Sequence, residues 1–380
     1  MTQKIFTRDF TFVFFTQILI SFIIYLLIPT LPIYLSRSGS NEIETGVLIG
    51  IFFVAALVLR PFVGRALSKT PEKKFMMIGA SLYAITSISY LFAPPFWPFL
   101  FVRVFQGIGF AFFHTASYTL AANISPEAHR GQSLSFIYMA STIAGALAPP
   151  LGIFLINQVS FTLLFLVCLS LSLCILFITN RFGGRQVAAF RDSSVEDGVF
   201  LSRKALPPSV ISSFSLFLWG ALTAFFPLYS IRCGVANPGL FFAAIAIILF
   251  LARVFIGRIL DLYSKEKIIL PYLFAYIVSM AILAFSKTLP MFMVVAVIWG
   301  MGGAFLGPAV LAYSLERAGS SPGPVMGTFT AISDVGYSLG PMVMGIILQL
   351  TSYPIMFLCM AFIGFISLSY FYFFVRKKRT

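Results

Sequence analysis

Leu59-Arg60-Pro61-Phe62-Val63-Gly64-Arg65-Ala66-Leu67-Ser68 returns 193 residues later as Ala252-Arg253-Val254-Phe255-Ile256-Gly257-Arg258-Ile259-Leu260-Asp261. Arg60/Arg253, Phe62/Phe255, Gly64/Gly257, Arg65/Arg258 and Leu67/Leu260 match. Gly107 meets Gly300 at the same offset, and Pro149 meets Pro341 at 192. Each copy closes an apolar run, near 45–62 and 240–257. The chain therefore carries one set of apolar segments twice, in the same direction.

Ten more apolar runs flank these two. They lie near 11–35, 75–95, 97–122, 132–155 and 161–180, then near 206–230, 268–286, 289–314, 326–350 and 354–375. About 20 helical residues cross a hydrocarbon layer of about 30 Å. The reading is an all-α membrane protein with twelve transmembrane helices in two pseudo-symmetric six-helix bundles, residues 1–180 and 206–380. Polar residues 181–205 form a cytoplasmic linker between them. Composition agrees, with 59% of residues hydrophobic and 10% charged, where a soluble domain carries roughly 25% charged residues. The first run is too long for a signal-peptide core, contains Pro29 and Pro32, and lacks an A-x-A site, so it is expected to remain as a span.

A net charge of +14 would suit a nucleic-acid partner, but its distribution argues against one. Of 26 Lys and Arg, 20 fall in loops on the side shared by both termini, including Lys69, Lys73, Lys74, Arg203, Lys204 and the run from Arg376 to Arg379. The other side holds three, Arg37, Arg232 and Lys287. This asymmetry is the positive-inside pattern, which puts both termini in the cytoplasm of a multi-pass inner (cytoplasmic) membrane protein, its basic loops against anionic lipid headgroups. Cys168, Cys174 and Cys359 lie within spans and Cys233 in a short outer loop, so no disulfide framework or metal spacing exists. His114 and His129 are too few for a metal site.

Several local motifs are similar to those of the major facilitator superfamily over essentially the whole chain. That family has a G-x-L-x-D-R-x-G-R-K type loop after span 2, and this chain reads Gly64-Arg65-Ala66-Leu67-Ser68-Lys69. Ser68 replaces the usual acid, which the second copy keeps as Asp261 after Gly257 and Arg258. Span 4 carries Arg103-Val104-Phe105-Gln106-Gly107-Ile108-Gly109, resembling the family's R-x-x-Q-G-x-G element. Pro29-Thr30-Leu31-Pro32 is similar to the P-x-x-P of twelve-span drug:proton antiporters. Span 5 shows Ala144-x-x-x-Ala148-Pro149-x-x-Gly152 in place of G-x-x-x-G-P-x-x-G, and span 11 has Gly336-x-x-x-Gly340-Pro341. The resemblance implies alternating access around a midplane site between the two halves. Glycine loops 64–69 and 257–265 would then act in conformational switching.

Ionisable groups at membrane depth cost at least ~2.5 kcal/mol unless they face protein or water, so each is a candidate. Arg103 and His114 share a face of span 4 with Gln106, Phe110 and Ser117. The functional reading lines the path with Arg103 and Gln106 and lets His114 titrate near neutrality. The alternative has Arg103 bonding backbone carbonyls and His114 as a packed donor. Asp334 is the carboxylate within a span. Arg60 lies at similar depth, and an Arg60–Asp334 pair would latch the inner side until Asp334 is protonated. The second copy offers Arg253 for Arg60, but Thr142 stands where Asp334 would be. Gln17, Ser21 and Tyr25 form an i, i+4, i+8 row on span 1, Trp219, Thr223 and Phe226 a similar row on span 7, and Trp299 lies on span 10. Such walls suit a lipophilic ligand, although aromatics in membrane helices are commonly core or interface belt.

The function that the antiporter resemblance implies is secondary active transport: proton-driven export of a small organic or amphiphilic molecule such as a drug or metabolite, by a monomer. No Walker-type loop cradles a phosphate, so a proton gradient and no cofactor is the expected energy source. An importer or uniporter remains open. A polytopic enzyme acting on lipid-linked substrates would need clustered polar groups at one face, and the outer loops offer Glu42, Glu44, Arg37, Arg232 and Lys287 as charges. A non-transporting sensor would carry a long soluble domain.

Overall fold

The computed structural model describes residues 7–67, 69–94, 96–126, 130–182, 202–262, 264–318 and 322–376. Among them are twelve α-helices and no strand. They are α1 (Arg8–Arg37), α2 (Glu42–Ala66), α3 (Glu72–Ser89), α4 (Trp97–Ile124), α5 (Arg130–Gln158) and α6 (Phe161–Asn180). The second set is α7 (Leu206–Arg232), α8 (Gly239–Leu262), α9 (Lys265–Phe285), α10 (Leu289–Ala318), α11 (Pro322–Leu350) and α12 (Tyr353–Tyr370). A π-helical turn, Phe371–Val375, follows α12. In lipid every backbone group must bond within its own segment, which makes an uninterrupted apolar helix the stable form. Thr7 and Ser160 cap α1 and α6, each hydroxyl accepting a backbone N–H at 3.2 Å.

Among the described residues, ten helices are long and apolar enough to cross a membrane. The two others are α3, which opens on Glu72, Lys73 and Lys74, and α8, whose described apolar stretch is Gly239–Ala252. The sequence reading carried the third apolar run to 95, but α3 ends at Ser89 and the chain turns through residues 90–92. Pro94 keeps the helix from reaching 95, because the residue before a proline is pushed out of helical conformation.

The helices group into two units, residues 1–40 with 51–192, and residues 41–50 with 193–380. The expected linker falls almost wholly on residues 183–201, outside the described residues. In the first unit α1 packs on α5 and α6, and α3 on α4 and α6. In the second, α7 packs on α11 and α12, and α9 on α10 and α12. These are equivalent pairings six helices on.

The duplication extends to individual contacts. A Cβ at Gly107 would meet Phe52 and Ala55, and one at Gly300 would meet Ile245 and Ile248. Gly109 lies against Gly79 and Tyr83, and Gly302 against Tyr272 and Tyr276. Every one of these pairs is offset by 193. Tyr34 packs on Phe99, Phe161 and Phe165 at ring separations of 5.7, 5.1 and 5.4 Å. Tyr229 packs on Phe292, Tyr353 and Phe357 at 5.8, 5.1 and 5.2 Å. Arg37 sits 5.5 Å over Phe161, and Arg232 sits 5.9 Å over Tyr353. Edge-to-face rings and a guanidinium over a ring each add of order 0.5–1 kcal/mol beyond burial.

Helix α11 touches α7 backbone to backbone. A Cβ at Gly336 would run into the Ser213 carbonyl and one at Gly340 into the Phe217 carbonyl. Gly220 on α7 lies against the Tyr337 carbonyl in turn. In the first unit the matching positions are Ala144 and Ala148, both fully buried. There Gly152 approaches the Leu26 carbonyl, and Gly145 lies under the Tyr25 ring.

Candidate substrate site

Polar groups inside the first unit are gathered on α1, α4 and α5. Gln17 Nε2 donates to Ser21 and to Ser141, each at 3.3 Å, and the two serine hydroxyls are 2.9 Å apart. Ser117 donates to Gln17 Oε1 at 2.9 Å and also to the His114 carbonyl at 3.1 Å. Gln17 and Ser117 are buried, so this network satisfies an amide that would otherwise be costly within a membrane. It brings together three helices that hydropathy alone treats as plain spans.

Arg103 and Gln106 meet as the shared face predicted. Arg103 Nη1 donates to Gln106 Oε1, and Tyr90 Oη donates to the same oxygen at 2.6 Å. The guanidinium also lies 4.7 Å over the Phe52 ring. The arginine is only 6% exposed. Its charge is thus dispersed over an amide oxygen and a ring face. His114 stands between Phe110 at 4.8 Å and Tyr118 at 4.4 Å, with Tyr118 on Tyr138 at 5.1 Å. Arg60 lies 5.3 Å over the Phe110 ring, so the charged and aromatic stripe of α4 reaches α2.

The second unit is different in character. Trp219 of α7 and Trp299 of α10 are stacked at 6.2 Å, and Tyr276 of α9 stacks on Trp299 at 4.2 Å. They line a cavity of about 200 Å³ with Leu216, Ile245, Leu249, Leu306, Val310, Gly303 and Gly307. Ser212 and Ser215 are its hydroxyl-bearing wall. Ser333 of α11 donates to Ser212 at 2.7 Å, and Asp334 is the next residue.

Among the proposed gating residues, Arg60, Gly64 and Arg65 belong to the first unit and Asp334 and Pro341 to the second. Gly64 has open space around it and Arg65 is exposed. Arg253, Gly257, Arg258 and Asp261 fall on α8, where their side chains lie outside the described residues, as do Ser68 and His129. Pro149 sits within α5, and the Pro341 ring lies against Gly220.

Sequence reasoning missed Tyr90, Ser141, Tyr276, Gly303 and Gly307. A signal for the glycines existed: Trp299, Gly303 and Gly307 form an i, i+4, i+8 row like those on spans 1 and 7. Nothing distinguishes Tyr276 among 15 tyrosines.

Comparison with known proteins agrees with this architecture. The chain is 26% identical over 343 residues to the staphylopine export protein of Staphylococcus aureus, covering 84% of each. It is 22% identical over 355 residues to the quinolone resistance protein NorA of the same species, covering 88% of each. Among solved structures, the nucleoside transporter NupG matches with a TM-score of 0.80 at 15% identity, over 98% of this chain and 100% of that one. The human organic anion transporter MFSD10 matches with a TM-score of 0.70 at 18% identity, over 96% of this chain and 98% of that one. The model of the Major Facilitator Superfamily matches residues 13–321 and 234–380. With helix pairings repeated across two units and that match spanning nearly its full length, this chain belongs to the Major Facilitator Superfamily of membrane transporters.

Proposed function

We propose that this transporter is a proton-coupled exporter of a small organic or amphiphilic molecule, working by alternating access in the cytoplasmic membrane. In this reading α3 and α8 also cross, giving twelve spans with both termini inside. The observation that carries it is the position of Asp334. This carboxylate follows Ser333, whose hydroxyl bonds Ser212 on the wall of the aromatic cavity. A titrating group one residue from a cavity contact can exchange a proton and sense a guest in the same element. The named activities of the staphylopine exporter and NorA support the outward direction. A second reading, import or uniport, is favoured by Ala144 and Ala148 standing where α11 has its two glycines.

Inverted membrane vesicles with an acid interior test both. A panel of labelled amphiphiles should accumulate inside under the gradient and leak out when it is collapsed. Asp334→Asn should abolish gradient-driven uptake while retaining exchange of labelled for unlabelled substrate, because a neutral amide cannot cycle a proton. Uptake indifferent to the gradient in the unaltered protein, or full driven uptake by the asparagine variant, would remove the coupling role.

A further inference from the structure

The cavity of the second unit occupies a place that the first unit fills. Positions 303 and 307 correspond, at the offset of 193, to Phe110 and His114. Those two rings pack against each other, tilted, at 4.8 Å in the first unit. The second unit has glycine at both positions, and a Cβ at Gly307 would meet nothing within 4 Å. The surrounding residues are exchanged as well. Trp299 stands at the position of Gln106, and Ala296 at that of Arg103. Tyr276 matches Tyr83. The same scaffold thus holds a charged, packed stripe in one copy and a hollow lined by rings in the other.

The wall has unmet donors and no charge. Tyr276 is 6% exposed, and its hydroxyl lies 3.2 Å from where a Gly303 Cβ would project. Neither that hydroxyl nor the Trp219 and Trp299 indole N–H groups has a hydrogen-bond partner among the described residues. All three residues line the cavity, so an acceptor on a guest can take up a donor there. Trp219, Trp299 and Tyr276 stack on one another as one aromatic wall, which favours a flat guest packed against it. No lining residue is cationic, so nothing offsets the desolvation of a carboxylate there. Clefts for whole drug-sized ligands run to roughly 300–1,000 Å³, so about 200 Å³ suits one ring system.

We propose that this hollow is a subsite for a planar, uncharged aromatic ring bearing a hydrogen-bond acceptor such as a ring carbonyl oxygen. The aromatic wall of Trp219 and Trp299 packs against the ring, Tyr276 donates to the acceptor, and Gly303 and Gly307 provide the room. The inference rests on the exporter reading and names the kind of group the exported molecule carries.

Equilibrium dialysis of the full chain in lipid nanodiscs, read against empty nanodiscs, is the test. The probes are coumarin, naphthalene as a flat ring system without an acceptor, and coumarin-3-carboxylate. Coumarin should bind saturably, and the carboxylate roughly tenfold or more weakly. Tyr276→Phe should weaken coumarin about threefold to tenfold and leave naphthalene unchanged. Gly307→Leu should remove both by filling the space. Should leucine prevent folding, Gly307→Ala adds a methyl into open space and should weaken both probes together. Coumarin binding unaltered in a folded Gly307→Leu protein overturns the proposal. So does equal binding of the carboxylate, or an equal effect of Tyr276→Phe on coumarin and naphthalene. Dialysis needs no gradient. Saturable coumarin binding with no driven export would therefore sink the exporter reading alone, and driven export with no coumarin site would sink this one alone.

Discussion

Arg103 is held by an amide oxygen and a ring face, and its neighbour Gln106 is held in turn by Tyr90. A charge this enclosed serves transport if a guest or a moving helix competes for it. Arg103→Ala should leave the protein inserted and cut transport by at least about tenfold, the factor set by one charge-assisted bond of ~1.5 kcal/mol. Initial uptake rates at matched expression check this, and near-normal rates would make Arg103 a packing residue. Such groups were legible because a charge or amide stands out within an apolar run. The Trp299 cavity was half legible: its indoles are conspicuous, but its space is made by side chains that Gly303 and Gly307 lack. Absent atoms leave little pattern, and a tyrosine on α9 gives no hint of which helix it faces.

At the scale of elements, the small-residue motif of α11 has a mechanical reading. Gly336 and Gly340 let α11 rest on α7 carbonyls, a separation that any side chain would widen. Gly336→Ala should therefore force the helices apart and lower the melting temperature, with an overpacking cost of about 1–3 kcal/mol. Ala144→Gly at the equivalent place should cost no more than about 1 kcal/mol, the ordinary price of a helical glycine. Thermal unfolding in one detergent compares them directly, and equal melting of Gly336→Ala and the unaltered protein would deny the close contact. Helix existence was readable from twenty-residue apolar runs. Their ends were less so: α3 stops at Ser89, ahead of Pro94, whereas apolar side chains continue to Phe92.

For the whole molecule, the repeat was the most legible feature, since identical residues at one offset need no structure to be seen. Orientation is a separate matter of charge. Cysteines placed at Lys69, Lys265 and Arg376 should be shielded from an impermeant maleimide in intact cells, while Cys233 and a cysteine at Lys287 or Ala93 should react. Labelling at 69 with protection at 93 and 287 would invert the topology, and protection at both 69 and 93 would remove α3 from the spans.

The paired aromatic clusters around Tyr34 and Tyr229 bear on how such a chain can change over generations. Four aromatic positions and an arginine keep the same mutual contacts in both copies, although Phe161 has become Tyr353. Between them, the residues at 103, 106, 110 and 114 have drifted to Ala296, Trp299, Gly303 and Gly307. Contacts that hold the helices together and residues that shape the interior thus vary independently along the same helices. If the hollow of the second unit holds the guest, a descendant gene can trade one cargo for another by substitutions in α10, with the ring clusters left as inherited.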